Sequence, residues 1–350
     1  MTNDHQKKIE TYYSECNRDY EIVWQLKHSM ALHYGYWDKN TLTHRQALWN
    51  MNYQIAQHAQ ITNSDYVLDA GCGVGGTSIF LANNIGCKVH GISLSATQIE
   101  QANKNKHDFE SKNLTEFSCQ SYYNTNFQDN TFDVIIAIES AVYSEPKGRF
   151  LEEAFRVLKP GGRIIVADWF LRSTENQKEF NIIKKWAKTW AINDFIYEDS
   201  YCKDLTKAGY TNILLDDISD NVFPSTKLMH RSYYPGIFIS RISHFFGRRT
   251  AAQVENSKCG KYQYQSYKRG IWRYKYLLTF KPSSDSDIST ISTFEQYMKK
   301  NIPITPYIDE DLFRERFPIV SKKGISVRMM FKRIMHFYLE TNIRRNDKWF

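Results

Sequence analysis

The sequence predicts an α/β protein built on a doubly wound sheet with helices on both faces, and three observations carry that prediction. The apolar run 66–68 leads through Asp69 to three alternating glycines, Gly71, Gly73 and Gly75, after which a helical pattern begins at Thr77. That is strand, glycine turn, helix. Strand and helix patterns then alternate down the chain, which specifies parallel strands joined by crossover helices. Phe132–Ile138 is a continuous apolar run, the pattern of a strand buried on both faces.

Taken in order, residues 1–60 read as a helical cap, with Tyr12, Tyr20, Ile22, Trp24 and Leu26 on mixed faces. Leu32-His-Tyr-Gly-Tyr-Trp-Asp38 sets a glycine among aromatics, a poor helix, and reads as a loop. It either plugs the core or covers a bound molecule. The second strand spans 88–92, with Ser95 as N-cap candidate for a helix over 96–108. Thr115–Cys119 is the third strand and Phe132–Ile138 the fourth. A helix over 147–158 ends at the tight turn Lys159-Pro-Gly-Gly162, and 163–168 form the fifth. Trp169, Trp186, Trp190, Phe195 and Tyr197 read as an aromatic helical cover. A helix over 198–209, the strand Thr211–Asp217 and an alternating last strand over 271–281 complete a core domain of seven strands, 61–281. The interval 219–270 is too long for a hairpin loop. It is expected to hold helices, either packed on the sheet or forming a lid.

Charge bounds the partners. The formal net charge is +8, and from Asp311 onward ten Lys or Arg face four Asp or Glu, an excess of six. The body is therefore close to neutral, and nucleic acid is not an expected partner. Residues 282–293 have linker composition and 294–350 form a basic extension. There Val327, Met330, Phe331, Ile334, Phe337, Tyr338 and Thr341 recur at helical spacing among Lys322, Lys323, Arg328, Lys332 and Arg333. Such a helix packs on its own domain, lies on an anionic membrane surface or receives an acidic partner. The six cysteines are scattered without C-x-x-C pairs, so neither a metal nor a disulfide framework is expected. No apolar leader or membrane-length run is visible. A soluble, cytoplasmic protein is expected, at most peripheral to a membrane.

Two ligand classes use a strand–glycine–helix turn. Gly71-x-Gly73-x-x-Gly76 spells the dinucleotide fingerprint, which also wants an acid about 20 residues on; here the second strand ends at Ser93, and no acid precedes Glu100. With Asp69 ahead of the glycines, Leu68-Asp-Ala-Gly-Cys-Gly-Val-Gly75 resembles the first motif of class I S-adenosylmethionine-dependent methyltransferases. Phe155-Arg-Val-Leu-Lys-Pro-Gly-Gly162 resembles the motif ahead of their fifth strand. The finer resemblance is to the tocopherol, sterol and cyclopropane-synthase-like enzymes on small molecules, and it covers about residues 20–281. It implies a Rossmann-like, seven-stranded, mostly parallel sheet with an antiparallel last strand, a helical lid and a C-terminal extension. The cofactor it implies is S-adenosyl-L-methionine, leaving as S-adenosyl-L-homocysteine. By the same resemblance the cofactor site takes His33, Tyr34, Asp69, Gly71, Cys72, Gly73, Gly75, Leu94 and Ile138, with Ser93 and Gln98 sharing the ribose. Ser121 and Tyr122 are the adenine candidates, since Ser121 stands where related sequences carry Asp.

Chemistry is expected at the carboxyl end of the fourth strand, in Ile138-Glu-Ser-Ala-Val-Tyr-Ser-Glu145. An oxygen or nitrogen acceptor wants a base, whereas an alkene carbon wants a carboxylate and aromatic faces beside a developing cation. Glu139 is the candidate base or charge stabiliser, and Tyr143 the hydrogen-bonding or relay group. Tyr36, Trp37, Trp169, His230, Tyr233 and Tyr234 are the candidate acceptor residues. The expected activity is methyl transfer to carbon or oxygen of a small lipophilic acceptor such as an isoprenoid, a prenylated ring or a polyketide. The rivals are an amine N-methyltransferase and a non-catalytic cofactor-binding partner protein.

Overall fold

The computed structural model describes residues 3–23, 26–39, 41, 43–283 and 296–298; the basic helix read in 322–341 and nearly all of the linker lie outside them. Three helices come first, α1 (Asn3–Val23), α2 (Leu26–Ser29) and α3 (His44–His58), with Leu32 to Asp38 irregular between them. The alternating core follows: β1 (Tyr66–Ala70), α4 (Gly76–Ile85), β2 (Lys88–Ser93), α5 (Ala96–Lys106), β3 (Thr115–Cys119), β4 (Phe132–Ile138), α6 (Lys147–Val157) and β5 (Leu158–Leu171). After α7 (Gln177–Thr189) come β6 (Ile196–Tyr197), α8 (Glu198–Ala208) and β7 (Thr211–Asp217). Three helices, α9 (Ser219–Phe245), α10 (Ala251–Asn256) and α11 (Cys259–Lys268), precede β8 (Trp272–Phe280).

The sheet order is β3-β2-β1-β4-β5-β8-β7, with β6 paired to β5, so it has eight strands where the sequence suggests seven. The additional strand is two residues long, too short to leave a periodic signal. All pairings are parallel except those of β8, which inserts antiparallel between β5 and β7. Parallel central strands are covered by helices on both faces, which is why Val134, Ile135, Ile136 and Ala137 are wholly buried. The chain leaves β1 toward β2 on one side and reaches β4 on the other, so a crevice opens at the carboxyl ends of β1 and β4.

Three devices shape that crevice. Ser95 caps α5 by accepting from the amide of Gln98, as its position ahead of the helix suggests. Thr43 and Gln46 form a reciprocal capping box that fixes the start of α3, the helix under the 32–38 loop. The 27-residue α9 carries Pro224 and Pro235 in its interior; neither can donate a helix hydrogen bond, since proline has no backbone N–H. Thr43→Ala should lower unfolding stability by about 1 kcal/mol through loss of the cap, read as a fall in urea midpoint at unchanged slope. No helix among the described residues is long and apolar enough to cross a membrane.

Candidate active site

The glycine turn is built by backbone that only glycine adopts readily. Gly71, Gly73 and Gly75 have φ of +110°, +54° and +85°. The amides of Gly71 and Cys72 both donate to the Ile92 carbonyl, tying the turn to β2. Ser140 packs where a Cβ on Gly71 would stand, its hydroxyl donating to the Ala70 carbonyl at 2.6 Å. Asp69, almost fully buried, accepts the Ser78 hydroxyl at 2.6 Å and so ties β1 to α4. Burial raises its pKa to about 6, against the lowering effect of the Ser78 hydrogen bonds.

An open cavity lies over this turn. It is lined by His33, Asp69, Gly71, Cys72, Gly73, Ser93, Leu94, Gln98, Tyr122, Ile138, Glu139 and Tyr143 among the residues expected from sequence. The Ser93 hydroxyl donates to Gln98 Oε1 at 2.8 Å, which turns the amide nitrogen of Gln98 into a donor for a ligand oxygen. His33 is buried with Nδ1 2.8 Å from the Tyr34 carbonyl, and burial holds its pKa down, so the ring is neutral. Burial also raises the Cys72 thiol pKa well above its usual value, leaving it inert.

Three expected cofactor residues sit elsewhere. Gly75 is one layer back, where a Cβ would strike Phe117 and Ala102. Ser121 caps its own turn by accepting from the Tyr123 amide, and its neighbour Gln120 faces the cavity instead. Tyr34 lines the adjoining cavity described next. Tyr122 does face the site, but its hydroxyl donates to the Ser140 carbonyl, so it also holds the loop after β4. Sequence reading missed Ile9, Glu10 and Tyr13 of α1, and Met30, which also line the wall. Tyr12, Tyr13 and Tyr20 at helical spacing were the available signal.

A second cavity adjoins the first and shares Tyr13, Leu32, Glu139 and Tyr143 with it. Aromatic side chains form much of one side, Tyr20, Tyr34, Trp169, Trp190 and Tyr233, with Met229. Tyr34 stacks on Tyr274 with ring centroids 5.8 Å apart and meets Trp169 edge-on. One wall is polar, where Arg249 grips Asp19 with both guanidinium ends and Asn256 and Ser257 stand alongside. Of the six expected acceptor residues, Trp169 and Tyr233 line this cavity. The other four do not. Trp37 donates from Nε1 to Ser225 and stacks on His44, and the Tyr36 carbonyl accepts from Asn50; both pin the 32–38 loop to α9 and α3. His230 stacks on Tyr264 at 4.1 Å, and Tyr234 points to solvent.

Glu139 stands at the junction. It leaves β4 at a φ of +50°, and its amide donates to the Ala167 carbonyl. Oε1 accepts the Tyr34 amide at 2.5 Å and the Tyr274 hydroxyl at 2.9 Å. Burial raises its pKa well above the usual value; those two bonds oppose the rise and the charge of Asp168 adds to it. Asp168, wholly buried, accepts the Val142 and Trp169 amides and so shapes the 139–143 loop. Its pKa is raised to about 7 by burial, against those bonds and Lys147. Tyr143 is hydrogen-bonded through its side chain to Tyr13, and burial raises both phenols, so they remain protonated donors at neutral pH.

The first cavity is lined by the carboxylates of Glu10, Asp69 and Glu139 and by no Lys or Arg. That donor set suits a cationic ligand with ribose hydroxyls and repels a pyrophosphate. The residues therefore fit S-adenosylmethionine better than a dinucleotide. Among the described residues no group of His, Cys, Asp and Glu is placed to hold a metal ion.

Comparison with known proteins agrees. Residues 68–166 match the family model described as a methyltransferase domain. The chain is 28% identical over 236 residues to a chloroplastic tocopherol O-methyltransferase of Arabidopsis thaliana, covering 62% of this chain and about two-thirds (67%) of that protein. It is 28% identical over 225 residues to the 27-O-demethylrifamycin SV methyltransferase of Amycolatopsis mediterranei, covering 64% and 80%. A solved geranyl diphosphate methyltransferase, in complex with GPP and sinefungin, superposes with a TM-score of 0.63 at 17% identity, over 80% of this chain and 100% of that one. At that identity the likeness speaks for the fold.

Proposed function

We propose that the chain is an S-adenosylmethionine-dependent methyltransferase, as the methyltransferase-domain match over residues 68–166 supports, and that it transfers the methyl group to a carbon or oxygen of a small lipophilic acceptor held in the aromatic cavity. One observation carries this reading: the carboxylate-lined cavity over the glycine turn and the aromatic cavity share the wall made by Tyr13, Leu32, Glu139 and Tyr143. Donor and acceptor held in adjoining cavities meet at that wall, which is the positioning that methyl transfer chiefly needs. When bound, S-adenosylmethionine supplies an electrophilic methyl on a sulfonium.

The chain's own residues supply the rest. Ser93 and Gln98 are suited to the ribose and the glycine turn to close backbone approach. Tyr34, Trp169 and Trp190 exclude water and offer aromatic faces to a developing cation. Glu139, already holding the Tyr34 amide and Tyr274 hydroxyl on one oxygen, has its second oxygen for a proton or a cation. Tyr143 and Tyr13 donate hydrogen bonds rather than accept protons. The relatives named for tocopherol and demethylrifamycin support a lipophilic acceptor. The polar wall at Arg249, Asp19 and Asn256 supports one that also carries a polar group.

Calorimetry tests the first step: S-adenosylmethionine and S-adenosylhomocysteine each bind at one site, and binding by neither overturns the reading. Radiolabelled methyl incorporation across phenols with prenyl tails, prenyl diphosphates, sterols and polyketide lactones tests the second. Incorporation into at least one class is expected; cofactor binding without incorporation into any leaves a binding protein in place of an enzyme.

A further inference from the structure

We propose that the exposed face of the second half of α9 docks this protein on an anionic lipid bilayer. Five of the six strongly exposed large apolar side chains among the described residues lie here: Tyr234, Phe238, Ile242, Phe245 and Phe246, each between 44% and 85% exposed. Within α9 they recur at spacings of three and four, which places them along one side of a helix. The same periodicity puts Lys227, Arg231 and Arg241 on that side, and Arg248 follows the helix end. Between Asp220 and Glu255 the sequence contains no acid at all. An apolar stripe interleaved with arginines, on a stretch of chain with no carboxylate of its own and with the nearby Asp19 already paired to Arg249, is complementary to an anionic interface.

Other occupants fit this face less well. The chain's own extension from Asp311 onward carries six excess positive charges, the same sign as the face. A second copy pairing face to face would set Arg231 and Arg241 against their like. The far side of α9 explains why a bilayer matters. Met229, Ser232, Tyr233 and Gly236 line the aromatic cavity, so the helix that meets the lipid also walls the acceptor site. Resting on the methyltransferase reading, this makes the bilayer the source of the acceptor.

The experiment is co-sedimentation of the full chain with vesicles of phosphatidylcholine, alone or mixed with phosphatidylserine. Binding to the mixed vesicles only is expected, weakened by salt. Phe238→Ser/Phe245→Ser and Arg231→Glu/Arg241→Glu are each expected to cut vesicle binding at least about tenfold, since apolar contact and charge act together at the interface. S-adenosylhomocysteine binding by calorimetry should be unchanged in both, which separates lost docking from lost folding. Variants that bind vesicles as the wild type does overturn the proposal and move any membrane contact to another segment. No vesicle binding by the wild type also overturns it. So does a wild-type dimer in light scattering that the serine variant dissolves, because the face then belongs to a second copy. Absence of cofactor binding in the wild type would sink the methyltransferase reading and leave the docking result standing.

Discussion

Gly71→Ala should abolish binding of S-adenosylmethionine and S-adenosylhomocysteine in calorimetry while the chain still unfolds cooperatively. Two costs add at this residue. Its φ of +110° lies where side chains other than hydrogen are strained, a penalty of about 1–3 kcal/mol. A Cβ there would also stand 2.4 Å from the Ser140 Cβ, closer than any real contact. Ser140 cannot swing away cheaply, because its hydroxyl holds the Ala70 carbonyl and its own carbonyl holds Tyr122. The clash must instead separate the glycine turn from the loop after β4, the two segments that floor the cofactor cavity. Adding Ser140→Gly to the variant removes the clash but not the dihedral strain, so binding should return in part. Full binding by Gly71→Ala alone would show that this floor does not form the cofactor site.

The glycine turn was legible because it is local. Its signals, an apolar run, an acid and alternating glycines, lie within ten residues, and the turn's backbone requires those residue types in that order. The central strands were legible for a similar reason: burial on both faces leaves a continuous apolar run, as in Phe132–Ile138. What was not legible depends on contacts made across the chain. Trp37 and His230 look like ligand residues in sequence, yet each is engaged by a partner far away, Ser225 and Tyr264 respectively. Gln120 rather than Ser121 faces the cavity because Ser121 is consumed by its own turn, a choice between two adjacent polar residues that periodicity cannot make. Tyr13 reaches the site only because α1 folds back over it, bringing residues 130 positions apart, Tyr13 and Tyr143, into ring contact at 5.8 Å. Glu139 was readable as the reacting carboxylate candidate; that it joins two cavities was not.

Glu139→Gln should lower kcat by about 10²–10³, the cost of losing one charged or proton-accepting group at a developing charge, with cofactor affinity at neutral pH changed far less. The amide preserves what the carboxylate does for the fold: its oxygen accepts the Tyr34 amide and the Tyr274 hydroxyl as before. A pH series separates charge stabilisation from scaffold. Burial holds the Glu139 pKa well above the usual carboxylate value, so below that raised pKa the free protein keeps the group neutral. A sulfonium beside it favours the carboxylate, and binding then expels a proton. The affinity ratio of S-adenosylmethionine to S-adenosylhomocysteine should therefore rise with pH, by up to about tenfold per unit, and level off above the raised pKa. The two ligands share their amino and carboxyl groups, so the ratio isolates the sulfonium. In Glu139→Gln the ratio should be flat. A ratio that still climbs in the variant would assign the charge partner to Asp69, whose pKa is raised only to about 6. Stability moves the opposite way, as the sign of the shift requires. A carboxyl with a raised folded pKa binds more protons folded than unfolded, so wild-type stability declines as pH rises from the unfolded toward the folded value. Removing the ionisable group removes that decline, and the variant should be the more stable protein at the alkaline end, where it is also the slower one. Loss of rate together with gain of stability is the signature of a carboxylate kept in an apolar junction for chemistry.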